Sequence, residues 1–511
     1  MLTSPLFWTL AAGLGALFGY ANPWGQLPAL ALLLPAVLAA LGLAAPTPWT
    51  AFKQTWRAGS VASLVCLYWV YWPVMHYGEV NWALALPVPV LLAMGMGGYF
   101  GLFGLMAQLS NRLTPILGTL FLGLAWVAME LTQATLLSGF SWLTLASAFV
   151  PWPILVQAAS VIGAHGVSGV LAMTAVGLVL GTRSKACLAL ALCGPLALAG
   201  YGWLRMDAYT ETTPAHSVAL VQGNIDQSIK WDPTYQTETV AKYLRLSRDI
   251  VAKADPELIV WPETSMPFYF QDETPLRKPA LDFVRNGKAA LMVGAPAYER
   301  TTGPGSFVLY NRAFLLTPQG AGMDSYDKEH LVPFGEYVPL SGLIPLPLDM
   351  FVSGVGDFVS GRNDKALKAG DLALGVLICY EAIFANLAQE RVARGANVLI
   401  NISNDAWFGA TSAPHQHLQL TALRAIEQGR YVVRSTNTGL SAFIDPLGRI
   451  RLAGSQFQEL AAAGMVHPRT ELTPFHVAYM WLLGALWTLM AVFAILIIRS
   501  APRADQNRSL R

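Results

Sequence analysis

Long apolar runs constrain this chain more than any other feature of its sequence. From Leu6 to about Leu204 the sequence is a series of such runs, and a last one extends from about Phe475 to Ile498. Each run is close to the roughly 20 residues that an α-helix needs to cross a membrane. Hydrophobic residues make up 54% of the 511 residues and charged residues 13%, against about 25% charged in soluble domains. The sequence therefore predicts a membrane protein.

We predict about eight transmembrane helices, seven before a less apolar central segment and one after it. The first run has no basic start and further runs follow at once, so we interpret it as a helix that is not cleaved. The predicted domains are a transmembrane bundle over residues 1–205, an exterior domain over 206–473, a helix over 474–499 and a tail over 500–511. The eight predicted helices centre near Gly13, Leu34, Leu67, Leu92, Leu122, Gly169, Leu192 and Leu486.

The distribution of basic residues predicts the topology, because lysine and arginine favour cytoplasmic loops. Before Arg205 they occur only after the second, fourth and sixth predicted helices, and the C-terminal tail is again basic. Both termini are therefore expected in the cytoplasm and the central segment outside, which in a bacterium is the periplasmic face of the inner membrane. The net charge of +2 gives no reason to expect a nucleic-acid partner. The basic residues in question are Lys53, Arg57, Arg112, Arg183 and Lys185.

The central segment has the pattern of an α/β domain. Short runs rich in β-branched residues end in polar or turn residues, and helical patterns lie between them, notably over 236–254 and 415–430. Strands that alternate with helices indicate a layered α/β domain. Residues 341–361 are apolar but interrupted by proline and glycine, so we predict a lid or a lipid-contacting arm there.

Three polar sites in this segment carry candidate chemistry. Cys379 follows the apolar run LGVLI and is the only one of four cysteines outside the strongly apolar runs. By itself it fits a nucleophile or an inert core thiol. Glu263 ends another apolar run, and Lys328 and Glu336 lie in the turn-rich YDKEHLVPFGEYVP. Glu263 by itself fits a helix N-terminal acid, and Lys328 a solvated lysine. Together a base, a cation and a soft nucleophile meet the needs of acyl transfer.

These residues resemble the Glu-Lys-Cys site of the nitrilase, or carbon-nitrogen hydrolase, superfamily. The matching motifs are WPETSMP around Glu263, YDKEHLVPFGEYVP around Lys328 and ICYEAIF around Cys379. With helices on both sides, the chain resembles the apolipoprotein N-acyltransferase family within that superfamily, through QGNIDQSIKWD and NISNDAWFG as well.

The resemblance implies an αββα sandwich for the exterior domain, with Glu263 as general base and acid, Lys328 stabilising the oxyanion and Cys379 as nucleophile. It implies a thioester formed from a glycerophospholipid such as phosphatidylethanolamine, and transfer of its sn-1 acyl chain to the α-amine of a diacylglyceryl apolipoprotein. No metal or cofactor is expected, and we expect a monomer. Glu336 and Glu381 are implied as supporting residues, and Trp231, Tyr380, Asn404 and Trp407 as residues of substrate access or binding.

Two alternatives share part of this pattern. A membrane-tethered amidase or nitrilase would use the same three residues on a small substrate, but would not need eight transmembrane helices. A non-catalytic assembly module would leave the three residues without a purpose. Within the membrane part, Gln133 stands where the family pattern leads us to expect arginine, and Ser141 where we expect proline. Glu130 and His165 are costly at membrane depth unless they are paired, and their role stays open.

Overall fold

The computed structural model describes residues 4–78, 81–301, 306–318, 323–339 and 358–500. Most of the predicted arm at 341–361, and the tail from 501 onward, lie outside the described residues. The chain divides into two compact units. The first contains residues 1–68, 89–205 and 477–511, and the second contains residues 69–88 and 206–476. Residues 69–88 belong to the second unit. Their apolar sequence pattern does not predict this grouping.

The described membrane-type helices run through most of the first 207 residues and return at the C-terminus. Six of them are long and apolar enough to cross a membrane: Pro48–Tyr77, Trp82–Arg112, Pro115–Ser138, Ala159–Gly181, Lys185–Asp207 and Pro474–Arg499. The α-helices are α1 (Pro5–Gly19), α2 (Leu33–Ala44), α3 (Pro48–Leu67), α4 (Tyr71–Tyr77), α5 (Trp82–Ala85), α6 (Pro87–Ser110), α7 (Pro115–Thr135), α8 (Pro153–Val156), α9 (Ala159–Gly181) and α10 (Lys185–Asp207), followed at the end of the chain by a helix over Pro474–Arg499.

The predicted count of eight transmembrane helices is not confirmed, because the first two expected helices are short. Helix α1 has 15 residues, a length of about 22 Å, which is less than the roughly 30 Å of a hydrocarbon core. The second apolar helix covers Pro28–Ala44, including its initial 3₁₀ turn. Asn22 closes the turn between them: its amide donates to the Leu17 carbonyl and its Oδ1 accepts from the Gly25 N–H.

Two of the long helices begin at threonine–proline pairs. The Oγ1 atoms of Thr47 and Thr114 accept hydrogen bonds from the backbone N–H groups of Thr50 and Leu117, and proline occupies the first helical position in each case. The hydroxyl satisfies a free N–H, and proline has no N–H to leave unsatisfied. These pairs therefore set where α3 and α7 begin.

Glu130 of α7 is buried and paired within the first unit. Its Oε1 accepts from the indole N–H of Trp126 and the backbone N–H of Leu145, both at 2.8 Å, and its Oε2 lies 3.0 Å from His165 Nδ1. These contacts satisfy a carboxyl group that would otherwise be costly in an apolar bundle. Ser141 pairs with the Thr144 hydroxyl at 3.2 Å, whereas Nε2 of buried Gln133 has no hydrogen-bond partner among the described residues.

The second unit contains two six-stranded sheets. The first sheet has the strand order β12-β1-β2-β3-β4-β5 and the second β11-β10-β9-β8-β7-β6. The strands are β1 (His216–Gln222), β2 (Leu258–Val260), β3 (Ala290–Arg300), β4 (Phe307–Leu316), β5 (Met323–Asp327), β6 (Leu367–Ala369), β7 (Leu372–Ile378), β8 (Val398–Ser403), β9 (Val432–Thr436), β10 (Ala442–Ile444), β11 (Ile450–Ala453) and β12 (Leu460–Val466).

Alternating side chains of these strands build two hydrophobic layers. In β1, Val218 and Leu220 join a core shared by both sheets, together with Val376 and Ile378 of β7. The intervening Ala219 of β1 packs into a second core on the other face of its sheet. Because successive side chains of a strand point to opposite faces, a strand that is apolar at every position must be covered on both sides.

Helices cover the outer faces and complete the expected αββα sandwich. Residues of α11 and α12 pack into the outer core of the first sheet, and α13 and α14 pack beside β7 and β9 of the second. The predicted αββα sandwich is therefore confirmed. The four helices that cover the two sheets are α11 (Pro233–Ala254), α12 (Lys278–Arg285), α13 (Ala385–Ala393) and α14 (Ala413–Gln428), and the C-terminal helix over Pro474–Arg499 is α15.

Candidate active site

Cys379 is the first residue after β7 and begins a 3₁₀ turn over Cys379–Ile383. Its φ angle is +52°, in the left-handed region that residues with a Cβ atom rarely adopt. Such strain persists only where the surroundings hold it, and it is concentrated at functional sites. The thiol is 7% exposed. Burial and the nearby Glu263 carboxylate raise the pKa of the Cys379 thiol, against the opposing effect of Lys328, so the resting sulfur carries its proton.

Lys328 follows β5 directly and is 1% exposed. Its Nζ lies 2.9 Å and 2.8 Å from the two carboxylate oxygens of Glu336 and 3.7 Å from Glu263 Oε1. Burial opposes the charge, but the carboxylates of Glu336 and Glu263 hold the pKa of Lys328 above its ordinary value. Lys328 is therefore a buried ammonium whose charge is favoured by two carboxylates and by its electrostatic interaction with Cys379.

Glu263 lies just beyond the end of β2 and is 6% exposed. Its Oε1 accepts from the side-chain amide of Asn311 at 2.7 Å, and its Oε2 accepts from the backbone N–H of Asn404 at 2.8 Å. Asn404 follows β8. The carboxylate is thus held between the two sheets, at the edge where β2, β7 and β8 end.

Glu381 is fully buried and connects the Lys328 and Cys379 turns. Its Oε1 accepts from the backbone N–H groups of Glu329 and His330 at 2.7 Å and 3.1 Å, and its Oε2 accepts from the N–H of Ile378 at 2.6 Å. The Tyr326 hydroxyl donates to the same carboxylate at 2.9 Å. Glu381 therefore positions the two backbone segments, and its carboxylate is fully occupied by these contacts.

The three predicted aromatic residues differ in burial and contacts. Tyr380 is buried, and its ring packs edge-on against Phe384 at 5.0 Å. Trp407 is partly buried and makes an edge-to-face contact with Tyr77 at 4.8 Å. Trp231 is different, since 47% of its surface is exposed. It is adjacent in sequence to Lys230, whose Nζ lies 3.4 Å from the Glu263 carbonyl oxygen.

Two residues of this site are absent from the sequence-based prediction. Asn311 lies in β4, and its amide nitrogen donates to Glu263 Oε1 and to Glu336 Oε1 at 2.8 Å. Lys230 is 1% exposed, and burial lowers its pKa to about 7. A polar residue inside the otherwise apolar run FVLYNRAFLL was the available signal for Asn311. Lys230 follows an ordinary polar stretch, so no sequence signal distinguished it from a surface lysine.

This arrangement is suited to nucleophilic acyl chemistry. The thiol is protonated, so a base must accept its proton as the sulfur attacks. Glu263 is close enough to influence the thiol electrostatically, and Lys328 supplies a buried positive charge for a developing oxyanion. Among the described residues no cluster of three or more potential metal-ligating side chains occurs.

Comparisons with known proteins cover nearly the whole chain. Residues 12–177 match the apolipoprotein N-acyltransferase N-terminal domain, and residues 217–474 match the carbon-nitrogen hydrolase family. A protein of Geobacter metallireducens named apolipoprotein N-acyltransferase is 38% identical over 82% of this chain and 81% of its own length. Proteins of the same name from Pseudomonas syringae and Azotobacter vinelandii are each 34% identical, over 90% and 97% of this chain and 90% and 96% of their own lengths.

The two matched regions correspond in order to the apolar helices and to the αββα sandwich described above. A soluble carbon-nitrogen hydrolase would account for the second region alone, whereas the full-length relatives account for both. The chain belongs to the apolipoprotein N-acyltransferase family, a membrane-embedded branch of the carbon-nitrogen hydrolase superfamily.

Proposed function

We propose that this protein transfers the sn-1 acyl chain of a glycerophospholipid to the α-amine of a diacylglyceryl apolipoprotein, through a thioester on Cys379. The observation that carries the proposal is the meeting of Cys379, Lys328 and Glu263 at one edge of the sandwich. Relatives that match both parts of the chain are named apolipoprotein N-acyltransferase, which supports the choice of acceptor.

In the first half-reaction, the Cys379 sulfur attacks the sn-1 ester carbonyl carbon while Glu263 accepts the thiol proton. The carbonyl oxygen becomes an oxyanion, which Lys328 stabilises together with a backbone N–H. When the tetrahedral intermediate collapses, the bond to the glycerol oxygen breaks and Glu263 returns the proton to that oxygen. A lysophospholipid leaves, and the acyl chain remains on sulfur.

In the second half-reaction, the α-amine of the apolipoprotein attacks the thioester carbonyl. Glu263 accepts a proton from the amine, Lys328 again stabilises the oxyanion, and the carbon–sulfur bond breaks to give an amide. The departing sulfur takes up the proton, which restores the resting thiol. Two lipid substrates that use one site in turn predict ping-pong kinetics.

The setting of the reaction follows from the membrane helices. We place the sandwich on the periplasmic face of the inner membrane, with both termini in the cytoplasm, on the basic residues of the short loops. A phosphatidylethanolamine-like donor then reaches the site from the surrounding lipid, and the protein acts as a monomer. The apolar arm at 341–361 would keep water from the thioester, which distinguishes transfer from hydrolysis.

The first test uses the full-length protein in detergent with a phospholipid labelled in its sn-1 chain and no acceptor. We expect a hydroxylamine-sensitive acyl group on the peptide that contains Cys379, absent in Cys379→Ala. Label that stays wholly in phospholipid would contradict phospholipid-dependent transfer. Label that appears only as free fatty acid would support a membrane-tethered hydrolase instead.

A further inference from the structure

Hydrogen bonds lie on both sides of Cys379, whose backbone is in the left-handed conformation. On the N-terminal side, Glu381 accepts the N–H of Ile378. On the C-terminal side, the carbonyl oxygen of Cys379 itself accepts a hydrogen bond from His417, with a distance of 3.1 Å to Nε2. His417 belongs to α14, which lies far from β7 in the sequence. The imidazole is 0% exposed, and the acyl-transfer scheme above gives it no task.

The neighbours of His417 determine which nitrogen carries the proton. A carbonyl oxygen can only accept, so Nε2 must be protonated to bond to Cys379. Nδ1 lies 3.1 Å from Nη2 of Arg434, and a guanidinium group can only donate. The neutral Nε2–H tautomer satisfies both contacts. Burial and the positive charge of Arg434 lower the pKa of His417, against the opposing effect of Asp405.

Asp405 and Arg434, which contact His417 at Nδ1, carry opposite charges. Asp405 Oδ2 lies 2.7 Å from Arg434 Nη2, and Asp405 Oδ1 lies 3.3 Å from His417 Nδ1. Burial opposes ionisation of Asp405, but the adjacent Arg434 guanidinium holds the pKa of its carboxyl well below the ordinary range. One negative and one positive charge therefore cancel around a neutral imidazole. Such a network is stable in a buried site because its charges are paired and hydrogen-bonded.

The same network reaches the reacting sulfur. The Ser403 hydroxyl donates to Asp405 Oδ1 at 2.7 Å, and the influence of Ser403 on Cys379 is to lower the pKa of its thiol. The nucleophile is held at its own carbonyl by His417. His417 in turn contacts Asp405 and Arg434, which are buried.

We infer that His417 is a positioning residue for acyl transfer: its Nε2–H holds the Cys379 carbonyl and thereby keeps the sulfur aimed at the substrate ester. This inference rests on the proposed function of Cys379 as nucleophile. A nucleophile that is displaced by a small distance loses rate at the chemical step, while binding of the lipid is unaffected.

Two substitutions separate the contacts of His417. The amide nitrogen of His417→Gln occupies the position of Nε2, so this variant keeps a donor for Cys379 and loses the contact at Nδ1. The amide of His417→Asn occupies the position of Nδ1, so it keeps the contact with Arg434 and loses the donor for Cys379. The two variants are similar in size and polarity, which makes each the control of the other.

The experiment measures the single-turnover rate of Cys379 acylation by sn-1-labelled phospholipid in the full-length protein, over a range of phospholipid concentrations. We expect the maximal rate of His417→Asn to fall about tenfold or more, with the half-saturating phospholipid concentration unchanged. We expect His417→Gln to acylate at close to the unsubstituted rate. Folding of each variant is checked by gel filtration and apparent Tm.

A folded His417→Asn variant with the unsubstituted rate would overturn the inference, and so would a folded His417→Gln variant as slow as His417→Asn. If His417→Asn does not fold, the test rests on His417→Gln alone. Because this variant keeps the donor to the Cys379 carbonyl, it must acylate at close to the unsubstituted rate. Cys379→Ala separates a failure of the proposed function from a failure of the positioning role. Acyl label on this variant would refute Cys379 as the nucleophile. If this variant carries no label and His417→Asn acylates at the unsubstituted rate, only the positioning role is refuted.

Discussion

Asn311 acts at the scale of a single side chain, because its amide nitrogen is shared by the Glu263 and Glu336 carboxylates. In Asn311→Leu the two buried carboxylates lose this donor, while the side chain keeps the same number and branching of heavy atoms. A hydrogen bond to a charged group contributes about 1.5–3 kcal/mol, so we expect acylation of Cys379 to slow about 10- to 100-fold. Single-turnover labelling measures this, with apparent Tm as the check on folding, and an unchanged rate would show that Asn311 has no part in holding Glu263.

Lys230 makes the stability of the protein depend on pH. Its folded pKa of about 7 lies below the value of about 10.4 for an unfolded lysine. Between these values the unfolded chain holds the proton that the folded chain has lost, so stability rises with pH and this gain disappears as the pH falls towards 7. Lys230→Met removes the proton-binding group and therefore the dependence.

We expect the stability advantage of Lys230→Met over the unsubstituted protein to decrease with pH, by about 1.4 kcal/mol per unit between pH 8 and 9. Denaturant unfolding in detergent at several pH values within this window measures it. An advantage that stays constant with pH would mean that Lys230 is charged in the folded protein throughout.

At the scale of elements, Glu381 joins the end of β5 to the end of β7. In Glu381→Gln, an NH₂ group replaces one of the oxygens that face backbone N–H donors, and a buried donor is left unsatisfied. We expect a loss of about 2–3 kcal/mol of stability together with a lower acylation rate. Tyr326→Phe removes one donor to the same carboxylate and also the hydroxyl oxygen that accepts from Arg391 at 2.6 Å; it is the comparison variant and should cost about 1–2 kcal/mol. Equal Tm losses in the two variants would contradict this role of Glu381.

Helices α7 and α9 approach closely at two glycines. A Cβ atom on Gly169 would lie 2.4 Å from Val127 Cγ2 and 3.0 Å from the Gly123 carbonyl oxygen. Small residues allow such contacts between membrane helices. We expect Gly169→Ala to lower the apparent Tm in detergent, whereas Gly200→Ala in α10, which meets nothing within 4 Å, should leave it unchanged or raise it because alanine favours helix. A lower apparent Tm for Gly200→Ala than for Gly169→Ala would contradict a close contact between α7 and α9 at Gly169.

At the scale of the whole molecule, the topology can be tested with one added cysteine at a time in a background that carries Cys193→Ser and Cys379→Ala, since Cys193 is exposed and Cys379 is the proposed nucleophile, whereas Cys66 and Cys187 are buried. We expect a membrane-impermeant maleimide to label Lys365→Cys, in the sandwich, on spheroplasts. Lys365 is 67% exposed. Arg112→Cys, in a basic loop, should be labelled only after the membrane is permeabilised. Labelling of Arg112→Cys on intact spheroplasts would invert the proposed orientation.

The amino-acid sequence by itself determined the membrane character, the α/β class of the exterior domain and the family. Runs of apolar residues have few alternatives to membrane helices, and strands that are apolar at every position must lie inside a layered domain. The residues Glu263, Lys328 and Cys379 were identifiable because their motifs together resemble those of the carbon-nitrogen hydrolase superfamily. Their catalytic roles stay predictions, as do the supporting roles of Glu336 and Glu381.

Only the tertiary structure decided how these residues are held. The count of about eight membrane helices is not confirmed, because the first two apolar helices are short, and hydropathy does not show that Asn22 closes a turn between them. Asn311 and His417 contact the site from β4 and α14, at sequence separations that no local pattern encodes. The state of the Cys379 thiol was also undecided in sequence, since burial competes with Lys328, and the balance depends on distances and solvent exclusion that exist only after the chain has folded.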